Sequence, residues 1–134
     1  MSSTVIRNAR ILDPATNRDF RGSLLVADGK IVSLAEGAPQ GIPDGATVLD
    51  AKGLCVSPGL VDMRVFTGEP GYEYRETLAT AGKAAAAGGV TSFVLMPDAN
   101  PVIDDGALVD FIIRRARDTA LVNVLPAAAG TENS

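Results

Sequence analysis

The chain changes character at Leu60-Val61-Asp62-Met63-Arg64-Val65-Phe66, a run that reads as a strand with mostly apolar residues on both faces. Two further apolar runs follow, at residues 90–96 and 121–125. Segments of helical pattern, residues 73–87 and 104–117, alternate with them. Strands that are apolar on both faces are typical of a parallel sheet covered by helices. We therefore predict the order β-α-β-α-β with right-handed crossovers for this part of the chain.

Charged and glycine residues indicate where both helices begin and end. Glu73 and Glu76 would lie at the positive end of the first helix dipole, and Gly88-Gly89 would end that helix. In the second helix, Asp104 or Asp105 can cap the first turn by accepting its free N–H groups. Helical spacing also predicts an apolar stripe on that helix, which comprises Val109, Ile112, Ile113 and Ala116.

The residues before position 57 read as short strands joined by turns. The clearest signal is the pair of runs at residues 23–27 and 30–34, which flank Asp28-Gly29. Asp-Gly suits a type I′ turn because both central residues need positive φ, so we predict a two-residue β-hairpin. The other predicted strands span residues 5–12, 47–50 and 54–56.

Bulk composition excludes several classes of function. The 134 residues are 46% hydrophobic and 21% charged, which is typical of a globular protein. A net charge of -4 and a pI near 4.7 argue against a nucleic-acid or anionic-membrane partner. No signal-peptide pattern and no apolar run of about 20 residues is present, so we predict a cytoplasmic protein. Cys55 lies in an apolar run and is expected to be a buried, inert thiol.

Open sheet edges are expected in both halves of the chain. Three parallel strands alone leave an edge, and an eight-stranded barrel needs about 250 residues, of which this chain would supply about 75. The N-terminal strands also leave edges that an isolated domain would have to cover. We therefore expect self-association, or further C-terminal chain, to cover them.

Several short strings occur in an order and spacing that resemble the dihydroorotases and related cyclic amidohydrolases of the amidohydrolase superfamily. These strings lie at residues 5–14, 56–62, 69–71, 80–91, 96–97, 100–104 and 122–126. The resemblance implies an α/β fold in which residues 1–57 form half of a composite β-sandwich, completed in the family by strands from the far C-terminus. Residues 58–134 would then form the first β-α-β-α-β units of an incomplete TIM-type (β/α)8 barrel, as in the first third of such a protein.

The resemblance also locates the positions of the family's active site. There the first barrel strand reads Asp-x-His-x-His-x-Arg-Glu-Pro-Gly, in which the two histidines ligate zinc and the arginine holds substrate. In this chain Arg64 and Phe66 replace the histidines, and Gly68 replaces the arginine. Asp98 follows Met-Pro where the family usually has a substrate-contacting asparagine. The chain contains no histidine at all, so we predict no catalytic or metal-binding residue in it, and zinc only in active family members.

The replacements have chemical consequences that the sequence alone allows us to state. A guanidinium does not deprotonate at working pH and a phenyl ring offers no lone pair, so neither can ligate a metal. Arg64 could instead pair with Asp98 across the vacated site, or simply point to solvent; we favour the pair. Glu69 is interpreted as part of a structural turn and Lys83 as a solvated side chain. Tyr72 and Tyr74 could be packing or contact residues.

Three functional readings remain open at this point. The string from Met63 to Gly71 resembles a non-catalytic branch of the family, whose members associate with aspartate carbamoyltransferase as structural subunits in pyrimidine biosynthesis. That branch is the leading hypothesis. The alternative is an active zinc cyclic amidohydrolase, which hydrolyses the cyclic amide C–N bond of dihydroorotate with ligands from further C-terminal chain. A piece of chain without a function of its own is compatible with either reading.

Overall fold

A mixed five-stranded sheet makes up the first unit, Met1–Pro58, in the computed structural model of the chain, which describes residues 2–130. Its strands are β1 (Ser3–Asp13), β2 (Arg18–Ala27), β3 (Lys30–Glu36), β4 (Thr47–Asp50) and β5 (Cys55–Val56). They lie in the order β3-β2-β1-β4, and β5 also pairs with β1. The first three strands are antiparallel, whereas β4 and β5 run parallel to β1.

The turn between β2 and β3 confirms the predicted hairpin. Asp28 and Gly29 have φ values of 48° and 76°, so both central residues adopt the positive φ that a type I′ turn requires. Ala27 pairs with Lys30 on either side of them. The two-residue loop follows directly from the Asp-Gly sequence.

A bulge in β1 lies beside the end of β4, which pairs with β1 from Thr47 to Asp50. The register of β1 against β2 shifts between Ile6 and Ala9, and Asn8 there has a positive φ of 55°. The Asn8 Nδ2 donates to both carboxylate oxygens of Asp50, at 3.0 and 2.9 Å. Asp50 Oδ1 also accepts the Lys52 N–H at 2.9 Å, and Oδ2 lies 3.3 Å from Arg7 Nε. The Asp50 carboxylate thus adds side-chain links to the backbone pairing of β4 with β1.

One buried cluster of the first unit lies on a single face of this sheet. Ala9, Ile11 and Leu24 are buried there, and Val56 packs against them. Cys55, its neighbour on β5, is exposed, so the prediction of a buried thiol is wrong. Successive strand residues face opposite sides of a sheet, and Val56 takes the core side of this two-residue strand.

The second unit, Gly59–Ser134, has the β-α-β-α-β order that the sequence predicts. Its elements are β6 (Leu60–Val65), α1 (Leu78–Ala87), β7 (Val90–Leu95), α2 (Gly106–Thr119) and β8 (Asn123–Pro126). The strands form a parallel sheet in the order β6-β7-β8. Its buried core joins strands and helices and comprises Leu78, Ala81, Phe93, Leu95, Ala99, Ile103, Ile112 and Ala116.

No helix within residues 2–130 is long and apolar enough to cross a bilayer.

Helix α1 begins at Leu78 and not at residue 73 as predicted. Thr77 is its N-cap: the Thr80 N–H donates to Thr77 Oγ1 at 3.2 Å, and the Thr77 N–H donates to Thr80 Oγ1 at 3.0 Å. Glu73 and Glu76 lie before this cap, because the backbone N–H of Gly68 donates to the Glu76 carbonyl at 3.0 Å and holds that segment in turns. The acidic residues therefore do not occupy the first turn.

Helix α2 largely follows the prediction. Asp105, one of the two proposed caps, accepts the Leu108 N–H at 2.7 Å. Ile112 and Ala116 of the apolar stripe are buried, whereas Ile113 is 47% exposed. Ile113 lies beside the edge of β8 that pairs with no other strand among the described residues, so nothing in that part of the chain covers it.

Candidate functional site

The end of β6 brings together the two residues at the zinc-ligand positions. The register of β6 against β7 shifts between Asp62 and Val65, and Val65 packs against the core of the second unit. The side chains of Arg64 and Phe66 contact each other: the guanidinium carbon lies 5.4 Å from the centre of the phenyl ring, within cation–π range. Both side chains are exposed.

These residues do not fit a zinc ion. A zinc site needs deprotonated nitrogen, sulfur or oxygen ligands, and the pair offers a fixed positive charge and a hydrocarbon ring. Asp62, the nearest carboxylate in sequence, is engaged with its own strand, because its Oδ1 accepts the Arg64 N–H at 3.0 Å. Within residues 2–130, no three His, Cys, Asp or Glu side chains converge as a metal site.

The predicted ion pair between Arg64 and Asp98 is not formed. The Arg64 guanidinium lies on the Phe66 ring, and the ion pairs made by residues 2–130 include neither Arg64 nor Asp98. Asp98 is exposed in the turn after β7. The cation–π contact joins Arg64 to Phe66, a residue two positions along the chain, so it does not require the loop after β7 to come close. The other reading, an exposed Arg64, describes this structure.

Gly68 occupies a place where no side chain fits. Its N–H donates to the Glu76 carbonyl, and its own carbonyl accepts the Tyr72 N–H at 2.5 Å. A Cβ atom added to Gly68 would lie 1.9 Å from the Tyr72 carbonyl oxygen and 2.9 Å from that of Glu76. Both obstacles are backbone atoms, which cannot rotate away as a side chain can. The loop after β6 is therefore folded in a way that excludes an arginine at this position.

Glu69 links the two helices of the second unit through a buried carboxylate. It is 5% exposed; its Oε1 accepts the Arg115 Nε–H at 2.7 Å, and its Oε2 accepts the Leu78 N–H at 2.8 Å. The hydrogen bond and the charge of Glu69 raise the pKa of Arg115 above its ordinary value. The sequence interpretation of Glu69 as a turn residue missed this link. In the sequence, only the opposite charge of Arg115 on α2 indicates this link, and no sequence pattern relates two residues so far apart.

The aromatic residues of the loop pack around an arginine. The Arg75 guanidinium carbon lies 4.7 Å from the centre of the Tyr72 ring and 5.7 Å from that of Tyr74. The two rings meet edge to face at 6.3 Å between centres. Glu73 closes the same loop: its carboxylate accepts the Gly71 N–H at 2.9 Å, and this bond lowers the Glu73 pKa. Tyr72 therefore packs within the loop, whereas 79% of Tyr74 is exposed.

Known proteins share both the sequence and the fold of this chain. The sequence profile of the family described as "Dihydro-orotase-like" matches residues 53–133. A dihydroorotase of Citrifermentans bemidjiense is 44% identical over 122 residues, which cover 91% of this chain and 28% of that protein. A dihydroorotase of Geotalea daltonii is 45% identical over 129 residues, which cover 96% of this chain and 30% of that protein. This chain thus spans less than a third of the length of these curated relatives.

Among solved structures, an L-hydantoinase from Arthrobacter aurescens matches with a TM-score of 0.86. The match covers 99% of this chain and 29% of that one, at 22% sequence identity, so it shows the fold alone. It supports a mixed α/β fold with an N-terminal β-sheet and a parallel β-α-β unit, as in the N-terminal part of hydantoinases. Taken with the profile match, the chain belongs to the dihydroorotase-like family of cyclic amidohydrolases.

Proposed function

We propose that this chain acts in pyrimidine biosynthesis as a dihydroorotase-like protein that keeps the fold without the zinc chemistry. In this proposal it serves as a structural subunit for aspartate carbamoyltransferase in the cytoplasm. The observation that carries the proposal is the contact between Arg64 and Phe66 at the positions where the family places its first two zinc ligands. A permanent cation there opposes the binding of a dication, because like charges a few ångströms apart repel strongly.

The substrate side of the site supports the same proposal. The substrate-binding arginine of the family would stand at Gly68, where the carbonyls of Tyr72 and Glu76 leave no room for a Cβ atom. Asp98 stands where the family has an asparagine, and a carboxylate there would repel an anionic substrate. Metal and substrate positions have therefore changed together, which favours loss of catalysis over a change of substrate.

The architecture beyond the described strands is also part of the proposal. We infer that residues 58–134 contribute the first units of a (β/α)8 barrel, and that residues 1–57 contribute half of a composite β-sandwich. The three-stranded parallel sheet and the five-stranded mixed sheet are the observations that support this inference. Exposed apolar side chains on strand and edge positions, such as Met63, Leu121 and Leu125, are consistent with surfaces that other chain segments cover.

The loss of zinc chemistry is tested by metal analysis and a hydrolysis assay. Protein purified without chelator is expected to contain less than stoichiometric zinc and to show no hydrolysis of dihydroorotate above background, with or without added Zn²⁺. The dihydroorotase of Geotalea daltonii, assayed in parallel, is the positive control. One bound zinc per chain together with turnover would overturn the proposal.

The structural role requires a separate measurement. Size-exclusion chromatography with light scattering is expected to show a stable complex when the protein is mixed with aspartate carbamoyltransferase from the same organism. An unrelated acidic protein of similar charge serves as the control for non-specific association. Separate elution of the two proteins at micromolar concentration would refute the partner while leaving the loss of catalysis intact.

An active zinc cyclic amidohydrolase is the second candidate. The names of the relatives favour it, because proteins 42–45% identical to this chain are described as dihydroorotases. It would require ligands from chain outside these 134 residues to bind metal beside Arg64. The zinc and hydrolysis measurements above separate the two candidates when the protein assayed includes that further chain.

A further inference from the structure

The dipeptide Asp-Gly occurs three times in the chain, at Asp28-Gly29, Asp44-Gly45 and Asp105-Gly106. In such a pair the main-chain nitrogen of glycine can attack the aspartate side chain, because glycine has no Cβ atom to hinder the approach. A Cβ atom built at any of the three glycines would meet nothing within 4 Å, so steric access does not separate the pairs. Differences in their reactivity must come from the hydrogen bonds that restrain each pair.

The pair at the start of α2 is restrained by the helix cap. Asp105 Oδ1 accepts the Leu108 N–H at 2.7 Å, so this carboxylate is committed to the first turn of the helix. Attack by the Gly106 nitrogen requires the carboxylate to leave the cap and rotate toward Gly106. The reaction at Asp105 therefore has to break the cap first.

The pair in the turn between β2 and β3 is restrained through its backbone. The Asp28 N–H donates to the Ser2 carbonyl at 3.2 Å, and Ala27 pairs with Lys30 on either side of the turn. Ring closure fixes the rotation about the Cα–C bond of Asp28 and so turns the next peptide group. A two-residue loop has no spare residue to absorb that rotation. The end of the hairpin must therefore open before Asp28 reacts.

The third pair lies in the connector between β3 and β4, where no strand pairing holds it. Asp44 and Gly45 are exposed, and the Asp44 side chain makes no hydrogen bond or ion pair to residues 2–130. One bond closes the turn, from the Ala46 N–H to the Pro43 carbonyl at 3.1 Å. Rotation about the Cα–C bond of Asp44 breaks at most this exposed bond, which water replaces. The structure thus leaves this pair the least restrained of the three.

We propose that Asp44-Gly45 is the site at which this chain forms isoaspartate. The Gly45 nitrogen attacks Asp44 Cγ: a C–N bond forms, a Cγ–O bond breaks, and the departing oxygen leaves with the amide proton and the carboxyl proton as water. Water then opens the five-membered succinimide ring. Opening at Cγ restores aspartate, whereas opening at the main-chain carbonyl gives isoaspartate, in which the main chain runs through the Asp44 side chain and gains one carbon atom.

The reaction needs no reagent besides water, and the product has the same mass as the original chain. It lengthens the main chain between Pro43 and Gly45, inside the turn that leads into β4. The site uses no residue at the end of β6, so it is independent of the function proposed above.

The test is to age the folded chain at physiological temperature and pH and to locate isoaspartate by electron-transfer fragmentation of tryptic peptides. Cleavage after lysine and arginine places the three pairs in separate peptides, residues 22–30, 31–52 and 84–114. The same chain aged in guanidinium chloride gives the rate of each pair without structure. We expect Asp44 to react within about threefold of its unfolded rate and Asp105 about tenfold or more below its own, with Asp28 between them, because restrained pairs react only after local opening.

Three results would overturn the proposal. These are equal protection of the three pairs, faster reaction at Asp28 or Asp105 than at Asp44, and no isoaspartate at Asp44 in a folded sample whose unfolded counterpart has reacted. Each pair is compared with itself in the unfolded chain, so differences in local sequence cannot produce the expected order.

An aspartate variant confirms the assignment, because Asp50 lies in the same peptide as Asp44. Asp44→Glu is expected to abolish the signal from residues 31–52, since the longer side chain would have to close a six-membered ring, which forms far more slowly. The exposed Asp44 side chain makes no contact that folding requires, so the variant should keep the stability of the parent chain. Isoaspartate that persisted in this peptide of Asp44→Glu would belong to Asp50 and would refute the site.

Discussion

Each unit of this chain contains a carboxylate that ties backbone to an arginine, and the two carboxylates differ in burial. Asp50 in the first unit accepts from Asn8 and Lys52 and faces Arg7 at the exposed end of β4. Glu69 in the second unit accepts from Leu78 and Arg115 and is almost fully buried. A hydrogen bond between exposed groups replaces hydrogen bonds of similar strength to water. A buried donor that loses its acceptor, by contrast, stays unpaired. Burial rather than the number of partners therefore decides which link stabilises more.

The glycine beside Glu69 provides the largest expected effect. Gly68→Ala places a Cβ atom against the carbonyls of Tyr72 and Glu76, so the loop must rearrange, and we expect a loss of about 3 kcal/mol in the free energy of unfolding of the second unit. Urea denaturation followed by tyrosine fluorescence measures this unit alone, because both tyrosines, Tyr72 and Tyr74, lie in it.

Gly106→Ala is the matched control for that measurement. Gly106 begins α2 in open space, so the added methyl group meets no neighbour and the variant should be neutral or slightly stabilising. If Gly68→Ala proved as stable as Gly106→Ala, the loop would be adaptable. The steric reason given for the missing arginine would then be wrong.

Removal of the buried carboxylate is expected to have the next largest effect. Glu69→Ala leaves the Leu78 N–H without its acceptor and Arg115 without its partner, and we expect a loss of about 2 kcal/mol in the same fluorescence-detected urea experiment. Arg115 is half exposed and can return to water, so the loss should fall below that of a fully buried ion pair.

An exposed ion pair on the same helix sharpens the comparison. Asp110 pairs with Arg114 one turn away on α2, and Asp110→Ala should cost at most about 0.5 kcal/mol. Equal losses for Asp110→Ala and Glu69→Ala would show that burial does not separate the two links, and the contrast drawn between the units would fail.

The smallest effect is expected at Asp50 and depends on pH. The hydrogen bond from Asn8, then that from Lys52 and the charge of Arg7, lowers the Asp50 pKa below its ordinary value of 3.8. The ionised form is thus favoured in the folded state, so its stabilisation is complete above pH 3.8 and is lost as the pH falls through the lowered pKa. Asp50→Asn should remove this part of the acid sensitivity, as measured by the NMR signals of β1 during acid unfolding.

Asp44→Asn is the control for the pH experiment. Asp44 is exposed in the connector before β4 and makes no hydrogen bond or ion pair to the residues that the structure describes. Its substitution should leave the acid unfolding of β1 unchanged. An identical response of both variants would mean that net charge, and not the contact with Asn8, governs the acid sensitivity of this unit.

Local patterns in the sequence predicted local structure well. The Asp28-Gly29 hairpin, the Asp105 cap and the alternation of strands and helices after residue 59 were all predicted from neighbours in the chain. The start of α1 was predicted wrongly, because the acidic residues at 73 and 76 resemble a first helical turn. In the structure, the hydrogen bond from Gly68 to Glu76 holds that segment in turns. The capping pair Thr77 and Thr80 was present in the sequence as the better signal.

Contacts between residues far apart in the sequence account for another discrepancy. The identity of the replaced positions, Arg64, Phe66, Gly68 and Asp98, followed from the family pattern, but their contacts did not. The pairing of Glu69 with Arg115 spans 46 positions, and no periodic pattern relates two such residues. Whether the Arg64 guanidinium contacts Phe66 or Asp98 also depends on the path of the loop that carries Asp98. Side-chain partners at long separation require the folded chain.

The exposed thiol of Cys55 makes the first unit convenient for spectroscopy. It is the only cysteine in the 134 residues, so a maleimide dye or a nitroxide would attach at a single known position. That position lies on the short strand β5, one residue from the core residue Val56. A label there would report directly on whether another protein approaches this edge of the sheet, without any substitution in the natural sequence.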